Sequence, residues 1–223
     1  MDPNRTWCFD EKVAAEFDAH ARANIPGYEQ VVGLSVAAVE AYCQPQDLIA
    51  EVGCATGYTL NCLEKAGYFN TVGIDNSPAM LERCRKGPWR LIRSEEFPSE
   101  LGPYKAILVN WTLHFIQPAN RLAYLKSLAS SLVQDGILIV TDKTAQSEFV
   151  ERMYHDFKRR MGMSESDIAA KKRSLAGVLE TLPHDWYCRA FWECGLESEI
   201  LWAQYGFVTY LCRPKKPAPD SRG

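Results

Sequence analysis

Apolar residues along the chain alternate between two periods. From residue 10 to about 43 the spacing is helical: Val13, Phe17 and Ala21 share one face, and after a break at residues 25–28 a second run carries Val31, Val32, Leu34 and Val39. Residues 47–53 then form a short apolar run ending in glycine, Leu60 and Leu63 mark a helix, and 71–75 form a second run. Ser77 and Pro78 supply a cap and a first-turn residue for a helix through Met80, Leu81 and Cys84 to Gly87.

A weaker strand is predicted at 89–93, and the unbroken apolar stretch 104–110 predicts a central strand covered on both faces. Pro118 starts a helix with Leu122, Leu125, Leu128 and Leu132 on one stripe, and Gly136 introduces a strand over 137–142. Residues 146–182 are charged and helical without strand character. Residues 196–213 fit two edge strands with a turn near Gln204, and KKPAPDSRG after Arg213 reads as a frayed tail.

Strands alternating with helices predict an α/β fold: a Rossmann-like, doubly wound, mostly parallel sheet with N-terminal helices and a helical insertion. The expected organisation is N-terminal helices over 1–44, a core over 45–145, a helical lid over 146–195, edge strands over 196–213 and a tail over 214–223.

Bulk properties narrow the function. At 223 residues, 47% hydrophobic and 24% charged, the chain can bury its own core. A formal charge of −3 disfavours nucleic-acid binding, which rewards a basic surface. The eight cysteines include no CxxC pair and no zinc-ligand spacing, so they read as reduced thiols and no metal is expected. The start lacks a basic, apolar leader and no 18-residue apolar stretch occurs, which predicts a cytoplasmic protein with no membrane partner.

The candidate chemistry lies at the strand ends. In Glu51-Val-Gly-Cys-Ala-Thr-Gly57, Gly53 lets the chain turn under a ligand, Cys54 lies in the turn, Gly57 permits close approach of the helix, and Glu51 can orient a cationic cofactor. Two glycines four apart do not make a dinucleotide fingerprint. Asp75, twenty-four residues after Glu51 and at the end of the second strand, suits the two hydroxyls of a ribose, with Asn76 beside it for the adenine edge. Asn110 can hold the ammonium of an amino-acid part, and Trp111 follows it to face a sulfonium. Together these residues predict an S-adenosylmethionine (SAM) site.

Longer matches refine this. PGY (26–28), IDNSPAM with LERCR (74–85), LVNWTLHFIQP (108–118), HDFKRRMGMSESDI (155–168), KKRS (171–174) and ILWAQ (200–204) together resemble the carboxy-S-adenosylmethionine synthases, a family within the class I SAM-dependent methyltransferase superfamily. The resemblance implies a methyltransferase fold that does not methylate but uses prephenate to carboxylate the SAM methyl, and a homodimer. It implies SAM contacts at Tyr28, Gly53, Asp75, Asn76 and Asn110, adenine contacts near Arg93 and Ser94, and an aromatic surround of the sulfonium from Tyr28, Trp111, Tyr154, Tyr187 and Trp202. The family's carboxylate-clamping arginine aligns with Ala190, and Arg189 precedes it by one residue, about 100° away around a helix.

Without that clamp, the leading expectation is chemistry on SAM alone. The amine closes azetidine-2-carboxylate and methylthioadenosine leaves, with Tyr28, Asn110, Trp111 and Tyr154 as the catalytic residues. Carboxy-SAM synthesis with Arg189 or another cation is the alternative. Methyl transfer to a small molecule, with His114 or His155 as base, is the third. The basic run Lys158, Arg159, Arg160, Lys171, Lys172 and Arg173 reads as a solvated face, with RNA binding a minor reading and Arg159 and Arg173 as candidates for the lid or a dimer seam. Trp186 and Trp192 are expected to bury their helix against the lid or a second subunit.

Overall fold

In the computed structural model, residues 7–84 and 87–216 are described. Two helices come first, α1 (Glu11–Asn24) and α2 (Tyr28–Tyr42). Asp10 caps α1 by accepting from the Val13 amide at 2.9 Å. β1 (Ile49–Val52), α3 (Tyr58–Lys65), β2 (Thr71–Asp75), α4 (Pro78–Arg83), β3 (Arg90–Arg93), β4 (Tyr104–Asn110), α5 (Pro118–Ser130) and β5 (Leu132–Lys143) follow in alternation. Helices α6 (Glu148–Arg160), α7 (Glu165–Leu175) and α8 (His184–Glu193) lead to the hairpin β6 (Leu196–Gln204) and β7 (Phe207–Pro214).

The seven strands form one sheet in the order β3-β2-β1-β4-β5-β7-β6. The first five pair in parallel, and β7 enters antiparallel to β5, with Thr141 opposite Thr209. The order reverses between β1 and β4, so their carboxyl ends frame the crevice where such sheets bind ligands. β4 earns its central place by composition: Ala106, Ile107, Leu108 and Val109 are wholly buried, split between two core clusters on opposite faces. The hairpin turns at Tyr205 and Gly206, both with positive φ (49° and 81°), a two-residue geometry that suits the twist of its strands.

Some boundaries differ from those expected. Leu132 begins β5 and does not extend the α5 stripe, because the helix stops at Ser130 and the chain turns at Ser131; Leu125 and Leu128 are the buried members. Helix α4 ends at Arg83, short of Gly87; residues 85 and 86 lie outside the described set, as does the tail from 217. Among the described residues no helix is long and apolar enough to cross a membrane.

A short N-terminal strap crosses the sheet's carboxyl edge. The Trp7 amide donates to Ser174 O at 2.8 Å on α7, and Ser77 Oγ donates to Phe9 O at 2.5 Å at the start of α4. The strap therefore ties α7 to the core.

Candidate active site

The crevice opens into a cavity of about 690 Å³ between the strand ends, α1, α2 and the lid, within the range of roughly 300–1,000 Å³ typical of small-molecule sites. Its floor is the loop after β1. Gly53 has φ 70° and its amide donates to Ile74 O at 2.7 Å; a Cβ there would lie 2.2 Å from Thr112 Oγ1. That hydroxyl in turn donates to Val52 O at 3.0 Å. Two strand ends are thus locked edge to edge, and only glycine fits between them.

Asp75 is fixed by backbone amides on both sides, accepting from Ala55 at 2.9 Å and Ser77 at 2.8 Å. Burial raises its carboxyl above the ordinary range despite those bonds. Glu51, on β1, is enclosed more completely. Burial pushes its carboxyl up to about 8, with relief from the Thr59 hydroxyl, and Oε2 has no hydrogen-bond partner. Asn110 at the end of β4 donates from Nδ2 to Ser35 Oγ at 3.2 Å, which leaves the buried Oδ1 unpartnered. Glu51 Oε2 and Asn110 Oδ1 are therefore two acceptors with unused capacity.

The aromatic wall is ordered by backbone strain. Trp111 holds φ 56°, a left-handed conformation costing about 1–3 kcal/mol for a bulky residue, and its amide is anchored to Thr141 O at 2.6 Å. The indole stacks on Tyr28, and Tyr28 stacks on Tyr58. Tyr154 of α6 completes the wall, its hydroxyl donating to Asn24 O at 2.8 Å.

The lid end of the cavity carries the opposite charge. Lys143, Lys158, Lys171 and Lys172 all line it. Burial lowers Lys143, brings Lys158 down to about 8 and Lys171 to about 6. Lys158 and Lys171 are only 6% and 7% exposed, so they are not members of a solvated face; both turn inward, which corrects the reading of the basic run as exposed and removes its two most buried members from any RNA surface. Arg159 is instead exposed and paired with Asp156 and Glu165, away from the cavity.

A methyltransferase-domain family model matches residues 49–136. The carboxy-S-adenosyl-L-methionine synthase of Yersinia pestis (strain Pestoides F) is 30% identical over 214 residues, covering 89% of this chain and 80% of that protein. The chain belongs to the carboxy-S-adenosyl-L-methionine synthase family. Solved methyltransferase structures share its fold. Magnesium protoporphyrin IX methyltransferase from Synechocystis PCC 6803, with bound SAH, superposes with TM-score 0.62 at 14% identity over 87% of this chain and 86% of that one. DesVI of Streptomyces venezuelae gives 0.63 at 14% identity over 94% and 100%. As a member of that family the chain is an enzyme that uses SAM. The unpartnered acceptors at Glu51 and Asn110 and the glycine-only floor at Gly53 fit that ligand.

Against this family frame the candidate residues divide. Tyr28, Glu51, Gly53, Cys54, Asp75, Asn76, Ser94, Asn110, Trp111 and Tyr154 line one cavity. Gly57 does not; its φ of 82° and the nearby Cys84 Sγ, 2.5 Å from an added Cβ, give it the helix-approach role. Arg93 is exposed, reaching back to Asn76 O at 3.4 Å.

Tyr187 is absent from the cavity wall, because it is buried in the core, donating to Asp142. Trp202 lies against Gly27, behind Tyr28 and not among the residues lining the cavity. Ala190 is also core, and neither it nor Arg189 reaches the cavity. Among the described residues no arginine lines it. His114 is buried with its ring held by Asp142 but lines the cavity, as does His155 at the lid end. Trp186 packs on the core but Trp192 is 65% exposed.

Residues that the pattern did not single out complete the site. Arg121, wholly buried, donates to Ile116 O at 2.8 Å, His114 O at 3.3 Å and Glu180 O at 2.6 Å, joining the loop after β4 to the lid. Lys143 and His20 line the cavity as well. A usable signal existed for the lid lysines: Lys158 follows Tyr154 by four residues and Lys171 follows Ile168 by three, placing each on its helix's buried face.

Proposed function

We propose that this enzyme acts on SAM itself. The α-amine attacks its own γ-carbon; the new N–C bond forms as the C–S bond breaks, its electron pair goes to sulfur, and one ammonium proton leaves to solvent. The products are azetidine-2-carboxylate and 5′-methylthioadenosine. The observation that carries this reading is the character of the two unused acceptors on β1 and β4. Asn110 Oδ1 is neutral, and the Glu51 carboxyl, at about 8, is protonated at neutral pH before ligand enters.

A nucleophilic amine must be uncharged, and a charged carboxylate beside it would hold it as ammonium. Here Asn110 is neutral, and burial favours the protonated form of Glu51 before ligand enters. The stacked Tyr28 and Trp111 offer π faces to a sulfonium. The arginine-free wall leaves the family's carboxylate clamp unfilled.

The test is incubation with SAM alone and mass spectrometry. Methylthioadenosine and azetidine-2-carboxylate should accumulate in equal amounts and vanish in a folded Asn110→Ala variant. Unchanged SAM would exclude the cyclisation. Carboxy-SAM synthesis from prephenate is the second reading, favoured by the named activity of the relatives and by four lysines able to receive an acidic co-substrate. Carboxy-SAM appearing only when prephenate is added would establish it. The homodimer implied by the family resemblance is proposed with either reading; the exposed Trp192 and Ile200 are available for it, and light scattering after gel filtration tests it.

A further inference from the structure

We propose that Lys143, Lys158 and Lys171 form a carboxylate-binding subsite at the lid end of the cavity. This rests on reading the cavity as the SAM site, and not on which reaction follows. The three side chains come from β5, α6 and α7, yet converge on the same space. Lys143 and Lys158 both lie over the Tyr154 ring, their Nζ atoms 4.6 and 4.4 Å from its centroid. Lys171 sits over the Trp7 ring of the N-terminal strap.

Among the described residues none of the three ammonium groups makes a salt bridge. The nearby carboxylate, Glu151, is occupied by Lys172 at 2.9 Å. Buried cations are retained in proteins when something pairs with them, because desolvation otherwise costs several kcal/mol. A π face compensates only part of that. The lowering of all three lysines is the consequence of this uncompensated charge, and an incoming carboxylate would reverse it.

The carboxylate has two possible sources: the α-carboxylate of SAM or a second, small carboxylic acid. Calorimetric titration of SAM, decarboxylated SAM and methylthioadenosine into wild type and a Lys158→Met/Lys171→Met variant separates them. Methylthioadenosine should bind both proteins equally, showing that the variant keeps its fold and nucleoside site.

If SAM supplies the group, the variant loses SAM affinity about 10- to 100-fold while decarboxylated SAM changes little, the span of a charge-assisted hydrogen bond. If a second acid supplies it, SAM affinity is unchanged but phenylpyruvate or malonate binds SAM-loaded wild type and not the variant. Equal behaviour of every ligand on both proteins overturns the proposal. Wild type that binds neither SAM nor methylthioadenosine overturns the SAM-site reading beneath it. The melting temperature gives an independent readout, with Lys171→Met alone as second variant. Removal of a buried amine without a carboxylate partner should raise it by about 2 °C or more, and a fall in both variants would mean the lysines serve packing.

Discussion

Trp111 stacks on Tyr28 with ring centroids 4.8 Å apart and planes inclined by 27°. The pair joins the end of β4 to the start of α2, and it exists because Trp111 accepts a left-handed backbone. Trp111→Ala should therefore weaken SAM binding by about tenfold through loss of a cation–π face worth roughly 1–2 kcal/mol. Trp111→Gly, which also relieves the backbone, should bind as weakly but melt higher than Trp111→Ala. Equal melting temperatures would show that φ 56° carries no strain.

Glu51 should leave a signature in stability against pH. Its folded value, about 8, lies above the ordinary 4.5, so the folded protein holds a proton that the unfolded chain releases between those limits. This contribution is complete below about 4.5 and is lost as pH rises through 8. Glu51→Gln should match wild type near pH 4.5 and exceed it by at least about 4 °C in melting temperature at pH 8.5. A constant difference across the range would refute the assignment.

Gly53 and Thr112 form a coupled pair. Gly53→Ala places a methyl 2.2 Å from the Thr112 hydroxyl on a backbone at φ 70°, and should cost about 2–4 kcal/mol in urea denaturation. Adding Thr112→Ala relieves the clash but not the backbone strain, so the double variant should recover about 1 kcal/mol relative to additivity. Strict additivity would place the whole cost in the backbone.

Arg121 is expected to hold the lid to the sheet. Arg121→Met leaves the carbonyls of His114, Ile116 and Glu180 short of a donor and should destabilise by about 2–4 kcal/mol. Limited proteolysis should cut first near residues 176–182. Cleavage elsewhere, with that segment intact, would count against the role.

The sheet was readable where composition left one option. Residues 71–75 and 104–110 are strands with the expected limits, since apolar runs of that length bounded by polar turns have no competing period. The glycine loop and its acidic neighbours were readable because backbone and charge requirements act locally. Burial of lysine was hidden by composition and legible only in the spacing of Lys158 from Tyr154 and of Lys171 from Ile168. Lys158 and Lys171 sit in strongly charged helices whose composition suggests solvation, and the packing of α6 and α7 turns them inward. Aromatic type was likewise a poor guide to place: Tyr187 and Tyr154 look equivalent in sequence, yet one is tied to Asp142 in the core and the other to Asn24 at the cavity.

The strap has a kinetic corollary. Its bond from Trp7 to Ser174 spans most of the chain, and closing such a loop comes late, after its far end has been made and folded. During synthesis the Gly53 turn and the Asp75 strand end are in place well before α7 exists. The nucleoside half of the pocket therefore takes shape on a nascent chain while Trp7 still lacks its cover, and a chain ending ahead of α7 would keep a SAM-shaped floor under open solvent.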